Sequence, residues 1–233
     1  MSFLSIKNVV KEYKSEAGVF RALNNINFKL ENKEFVVILG PSGAGKSTLL
    51  NLLGGMDNVT AGKIILDNKE VSGYSKKMLT EHRRSDIGFV FQFYNLMPNL
   101  TALENIELAT EIKLDALNPN KVLKLVGLDK RANYFPAQLS GGEQQRVSIA
   151  RAIAKNPKML LCDEPTGALD YKTGKMILRL LYDISKKNKK LVIVVTHNQA
   201  IKDMADRVIK IKNGEIIENY INKNPKPIED IEW

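Results

Sequence analysis

An unbroken apolar run, Phe35 to Leu39, leads directly into Gly40-Pro41-Ser42-Gly43-Ala44-Gly45-Lys46-Ser47 and then into Thr48 to Leu53, which has helical character. This order of buried strand, glycine-rich loop and helix constrains the fold more than any other feature of the chain. The eight residues fit the pattern G-x-x-x-x-G-K-[ST] in the one context where that pattern has physical meaning. Glycines let the backbone fold so that its N–H groups converge on an anion, and the following helix adds its positive end. Lys46 is then expected to reach the β- and γ-phosphates of a nucleotide, with Ser47 as a ligand to Mg²⁺.

Further short apolar runs, Ile87 to Phe91, Met159 to Cys162 and Leu191 to Val195, recur with helix-length segments between them. Such alternation predicts a mostly parallel sheet covered by helices, an α/β fold. Ahead of the loop, Ile6 to Val10 and Ile26 to Leu30 are separated by turn-rich breaks and predict an N-terminal antiparallel β subdomain. From Pro98 to Gln145 the apolar spacing becomes helical (Leu103, Ile106, Leu108; Val122, Leu125, Val126, Leu128), which predicts an α-helical subdomain inserted over about residues 95–150. Asp206 to Glu215 reads as a strand and turn, with Asn213-Gly214 as the hairpin signal. Residues 1–221 are taken as one domain, and 222–233, with two prolines and three acids, as a loosely docked tail.

Two apolar strands deliver chemistry to the sheet edge that carries the loop. Met159-Leu160-Leu161-Cys162 ends in Asp163-Glu164, and Leu191 to Val195 ends in Thr196-His197. Ligands of open α/β sheets bind outside the carboxyl ends of the strands. A turn at the end of the first strand would let Asp163 support a metal while Glu164 faces the attacking water. His82, in a polar segment beside Arg83 and Arg84, is given no role, and neither is the single cysteine, Cys162, which forms no internal disulfide or zinc cluster. The formal charge of +9 suits a nucleotide, a polyanion or an anionic membrane surface without choosing among them. The basic run Lys186, Lys187, Lys189, Lys190 is expected to be a solvated connection. The absence of a long apolar run and of a secretion-signal layout leads to the expectation of a cytoplasmic chain.

Leu139-Ser140-Gly141-Gly142-Glu143-Gln144-Gln145-Arg146 resembles the LSGGQ signature of ATP-binding cassette (ABC) ATPases. Nearly the whole chain shares the resemblance, with Tyr13, the phosphate loop, Gln92, the signature, Asp163-Glu164, Ala168-Leu169-Asp170 and His197 in matching order. The resemblance implies an ABC ATPase fold with ATP and Mg²⁺ as cofactors. Tyr13 would stack on adenine, Gln92 would contact Mg²⁺ and the attacking water, and His197 would hold the γ-phosphate. Glu164 would be the general base or water-positioning residue. Ser140, Gly141 and Gly142 would meet the nucleotide of an opposite subunit, with Asp170 at the seam, so each site would be shared between two copies or between the chain and a homologue. Membrane-spanning permease subunits are the implied partners, and nucleic acid is not expected. Asp163 to Asp170, and Phe89 to Gln92 with Asn95-Leu96, look most like the macrolide-exporter and lipoprotein-release group. Glu143 in place of the usual glutamine, Phe93 in place of a second glutamine, and a shorter stretch from Ala109 to Asn120 depart from the common pattern.

Overall fold

The computed structural model describes residues 2–16, 18–111 and 113–232. Strands β1 (Leu4–Ser15) and β2 (Gly18–Leu30) pair antiparallel, and β1 also pairs antiparallel with β4 (Ala61–Leu66), which carries the short β5 (Lys69–Glu70). The order of this sheet is β2-β1-β4-β5. The second sheet has the order β10-β9-β3-β8-β7-β6 and is parallel from β9 to β6. Its strands are β3 (Phe35–Leu39), β6 (Ile87–Val90), β7 (Met159–Asp163), β8 (Leu191–Thr196), β9 (Arg207–Lys212) and β10 (Glu215–Ile221). The expected Asn213-Gly214 turn joins β9 to β10, with both residues at positive φ, as a tight two-residue hairpin requires.

Because β3 and β8 are buried along their whole length, alternate residues serve two cores. Phe35, Val37, Leu39, Val192 and Val194 face one core, completed by α3 (Ala102–Thr110), α4 (Pro119–Leu125), α5 (Gly141–Ala154) and α6 (Tyr171–Lys187). Val36, Ile38, Ile193 and Val195 face the other, shared with α1 (Lys46–Leu53) and the antiparallel sheet. Helix α2 (Lys76–Ser85) precedes β6 and buries His82, whose ring contacts the Asp86 carboxylate and the Leu53 carbonyl. Helices α3 and α4 and two 3₁₀ turns fill the predicted helical stretch between β6 and α5. No helix among the described residues is long and apolar enough to cross a membrane.

Two expectations are corrected. The tail from residue 222 is not loose: Ile228 and Ile231 are buried beside α6, Tyr171 Oη donates to the Ile231 carbonyl at 2.9 Å, and Lys175 Nζ to the Glu229 carbonyl at 2.7 Å. Its prolines and acids dominate the composition, but two isoleucines dominate the packing. The basic run is likewise more than a solvated link. Lys186 pairs with Asp206 from the last turn of α6, where a cation also complements the helix dipole, and Lys190 Nζ donates to Asn156 Oδ1 at 2.8 Å.

Candidate nucleotide-binding site

The phosphate loop takes its shape from residues that few side chains could replace. Gly43 and Gly45 sit at φ 78° and 99°, the left-handed region that glycine enters at little cost. A Cβ on Gly45 would also meet the Ala22 carbonyl oxygen at 2.6 Å. Within the loop, the Ala44 N–H donates to the Pro41 carbonyl at 3.2 Å, and the Gly214 N–H anchors it from outside by donating to the Ala44 carbonyl at 3.0 Å. Lys46 lies across the loop with Nζ donating to the Pro41 carbonyl at 3.0 Å, nearly buried. Helix α1 begins at Lys46, so its positive end stands at the mouth of the loop.

The carboxyl ends of β6, β7 and β8 bring their residues to the same place. A cleft of about 510 Å³ is lined by Ser42, Gly43, Lys46 and Ser47 from the loop, Phe91, Gln92, Phe93 and Asn95 after β6, and Asp163, Glu164 and His197. Gly40, Pro41, Ala44, Gly45 and Thr48 build the loop and helix start behind it without lining it. Asp163 ends β7 in extended conformation, whereas Glu164 enters the left-handed region at φ 46°. That turn sends two adjacent carboxylates to different tasks, as strand alternation alone would not. Glu164 Oε1 accepts from the His197 backbone N–H at 2.9 Å and lies 2.7 Å from His197 Nδ1; Oε2 accepts from Thr196 Oγ1 at 2.8 Å. Burial pushes the Asp163 carboxyl above the usual carboxylate range, and the Glu164 charge adds to this; a hydrogen bond from Ser47 and the charge of Lys46 pull the other way.

The remaining expected residues lie outside the cleft. Tyr13 is on β1, its hydroxyl donating to Asp57 Oδ2 at 2.9 Å, with Lys11 Nζ 4.7 Å from its ring centre. Burial and Asp57 raise its pKa, while a Thr48 hydrogen bond acts against them, so the ring borders the start of α1. Ser140 caps α5, Gly141 lies beside the Tyr94 hydroxyl, and Gly142 fits against Thr173 so closely that a Cβ would meet its methyl at 2.2 Å. Asp170 caps α6, accepting from the Thr173 N–H at 3.1 Å.

Sequence reading passed over several contributors. Thr196, beside His197, could have been found as the polar end of an apolar strand. Gln145, fully buried on α5, donates to the Pro165 carbonyl at 2.9 Å and to the Phe91 carbonyl at 3.4 Å, tying together the segments that bear Glu164 and Gln92. Its place in the signature run gives no hint of that span. Asp57, which holds both Tyr13 and Lys11, carries no signal in sequence at all.

A glycine-rich loop capping a helix at the switch between β3 and its neighbours, with a lysine, a hydroxyl and two carboxylates converging on it, defines a P-loop nucleotide-binding protein. Comparison with known proteins sharpens this. Residues 23–167 match the family model described as ABC transporter. The dimeric cassette MJ0796 of Methanocaldococcus jannaschii, solved in a post-hydrolysis state with ADP and Pi, superposes with a TM-score of 0.85 at 43% identity, covering 94% of this chain and 98% of that one. A putative ABC transporter ATP-binding protein of Mycoplasma pneumoniae is 41% identical over 99% of this chain, and the macrolide export ATP-binding/permease protein MacB of Bartonella henselae is 39% identical over 97%. The chain spans 50% and 35% of the lengths of those two relatives. The chain belongs to the ABC transporter family, as an ATP-binding cassette of the group that includes MacB and MJ0796.

Proposed function

We propose that this chain hydrolyses ATP to ADP and phosphate as two copies, or this chain and a homologue, close head-to-tail over two Mg-ATP, and that closure drives membrane-spanning permease subunits. Similarity to MacB favours export or extraction of a peptide, drug or lipoprotein, with the cassette held on the cytoplasmic face of the membrane through its permease. What supports the shared site most directly is that Lys46, Ser47, Gln92, Asp163, Glu164 and His197 line one cleft, whereas Ser140, Gly141, Gly142 and Asp170 lie outside it. A second copy facing the cleft can bring its own signature turn to the open side of the nucleotide.

Phosphoryl transfer asks the protein mainly for positioning and for stabilisation of spread negative charge. The loop amides, Lys46 and the α1 N-terminus answer the phosphate charge, and Tyr13 offers a face to adenine. Glu164, held by donors from Thr196 and His197, orients the attacking water and accepts its proton, with His197 beside the γ-phosphate. The oxygen donors Ser47, Gln92 and Asp163 suit Mg²⁺, which takes few protein ligands and completes its shell with phosphate and water. The undercompensated burial of Asp163 fits a cation in that position. When bound, Mg²⁺ neutralises charge on the phosphate oxygens.

Glu164→Gln removes the proton acceptor and leaves the phosphate contacts, so it should bind ATP without turning it over. Light scattering with and without Mg-ATP is the test: an ATP-dependent shift from monomer to dimer is expected. A Glu164→Gln protein that binds ATP and stays monomeric rejects the shared-site reading.

A further inference from the structure

The signature turn carries an anion of its own. Glu143 sits in the first turn of α5, where Oε2 accepts from the Ser140 backbone N–H at 2.9 Å while its own N–H donates to Ser140 Oγ at 3.3 Å. This reciprocal capping box fixes Ser140 from both sides. One lone pair of the hydroxyl accepts the Glu143 N–H, and a hydrogen bond from the hydroxyl itself helps hold the Glu143 carboxyl low, so its proton already has the carboxylate as a partner. The charge of Glu143 stands at the same positive helix end that would attract a phosphate, and two anions there compete. Arg131, from the 3₁₀ turn Asp129–Arg131, resolves the conflict: its Nε donates to Glu143 Oε1 at 3.0 Å, and its guanidinium lies 4.7 Å from the Tyr134 ring centre. Each partner shifts the other toward its charged form, Arg131 upward and Glu143 downward, the latter mainly through the Ser140 N–H.

We propose that Arg131 and Glu143 act together as positioning residues for the signature turn. The carboxylate orients the Ser140 hydroxyl, and the guanidinium cancels its charge so that the partner's γ-phosphate can be accepted at the same helix end. The proposal rests on the shared-site reading above and names the charge balance that lets an acidic signature work.

The experiment is a double-mutant cycle in the full-length Glu164→Gln chain, following dimer formation by light scattering as Mg-ATP is titrated. Arg131→Ala is expected to weaken ATP-driven dimerisation by about tenfold or more, because it exposes an approaching phosphate to an unpaired carboxylate. Arg131→Gln, which keeps an N–H donor and drops the charge, should lose as much. In a Glu143→Gln background the same Arg131→Ala change should cost less than about threefold, since the amide oxygen can still cap Ser140 without carrying charge. ATP affinity of the monomer, set at the opposite site, controls for folding. Full dimerisation by Arg131→Gln, or a loss from Arg131→Ala that Glu143→Gln fails to relieve, overturns the proposal and leaves the pair a structural clamp. A parent that does not dimerise overturns the shared-site reading and this proposal with it, so the two failures are told apart by the parent alone.

Discussion

At the scale of single residues, the site is a set of side chains whose hydrogen bonds are already arranged. Lys46 is nearly buried, and its ammonium rests on a carbonyl of its own loop, which keeps it beside the space where phosphates would lie. Charge-assisted contacts to phosphate are among the strongest hydrogen bonds a side chain makes. Lys46→Ala should therefore weaken ATP binding by on the order of a hundredfold, measured by titration with a fluorescent ATP analogue; unchanged affinity would remove Lys46 from the site. The meeting of Lys46, Ser47, Asp163, Glu164 and His197 in one cleft was legible in sequence because the phosphate loop and both polar strand ends follow apolar strands that must end at one sheet edge. The contacts made by Thr196 and Gln145 were not. Their partners are Glu164 in one case and the Phe91 and Pro165 carbonyls in the other, and neither partner lies close in sequence.

At the scale of elements, one junction is held by cations. Lys155, capping the C-terminus of α5, donates to the Arg83 carbonyl at 2.9 Å, and Lys113 Nζ donates to the Ser85 and Asn156 carbonyls at 3.0 Å each. Burial, then the charges of Lys113 and Arg151, push the Lys155 pKa down to about 8. The unfolded chain keeps that proton to about pH 10.4, so between the two values it binds more protons than the folded one and stability rises with pH. Below about pH 8 both states are charged, and the full cost of burying the ammonium is present. Lys155→Met should thus stabilise the protein near pH 7, by on the order of 1–3 kcal/mol, with the advantage shrinking as pH approaches 10. Urea midpoints of both proteins at the two pH values check this. A variant less stable at pH 7 would show that the bond to the Arg83 carbonyl outweighs the burial.

At the scale of the whole molecule, the parallel sheet is the shared wall between two cores, and the chain's last described segment seals one of them. Ile231 is almost wholly buried in the core that contains α6, and its carbonyl is bound by Tyr171, one residue after Asp170 at the start of that helix. Ile231→Ala should cost about 2–3 kcal/mol of stability, read from urea denaturation. A change within about 0.5 kcal/mol would return the segment to the status of a loose tail.

The parallel sheet, the phosphate loop and the Asn213-Gly214 hairpin were determined by sequence alone. Each is specified by contiguous residues, through apolar runs, glycine at positive φ, or a two-residue turn, and needs no distant partner to be recognised. Folding decided the pairings that sequence leaves open: Asp57 with Tyr13, Arg131 with Glu143, and Ile231 with the core beside α6. A polar or apolar side chain at the surface of its own element takes its role from whatever packing brings against it. That neighbour is a property of the assembled chain and not of any segment within it.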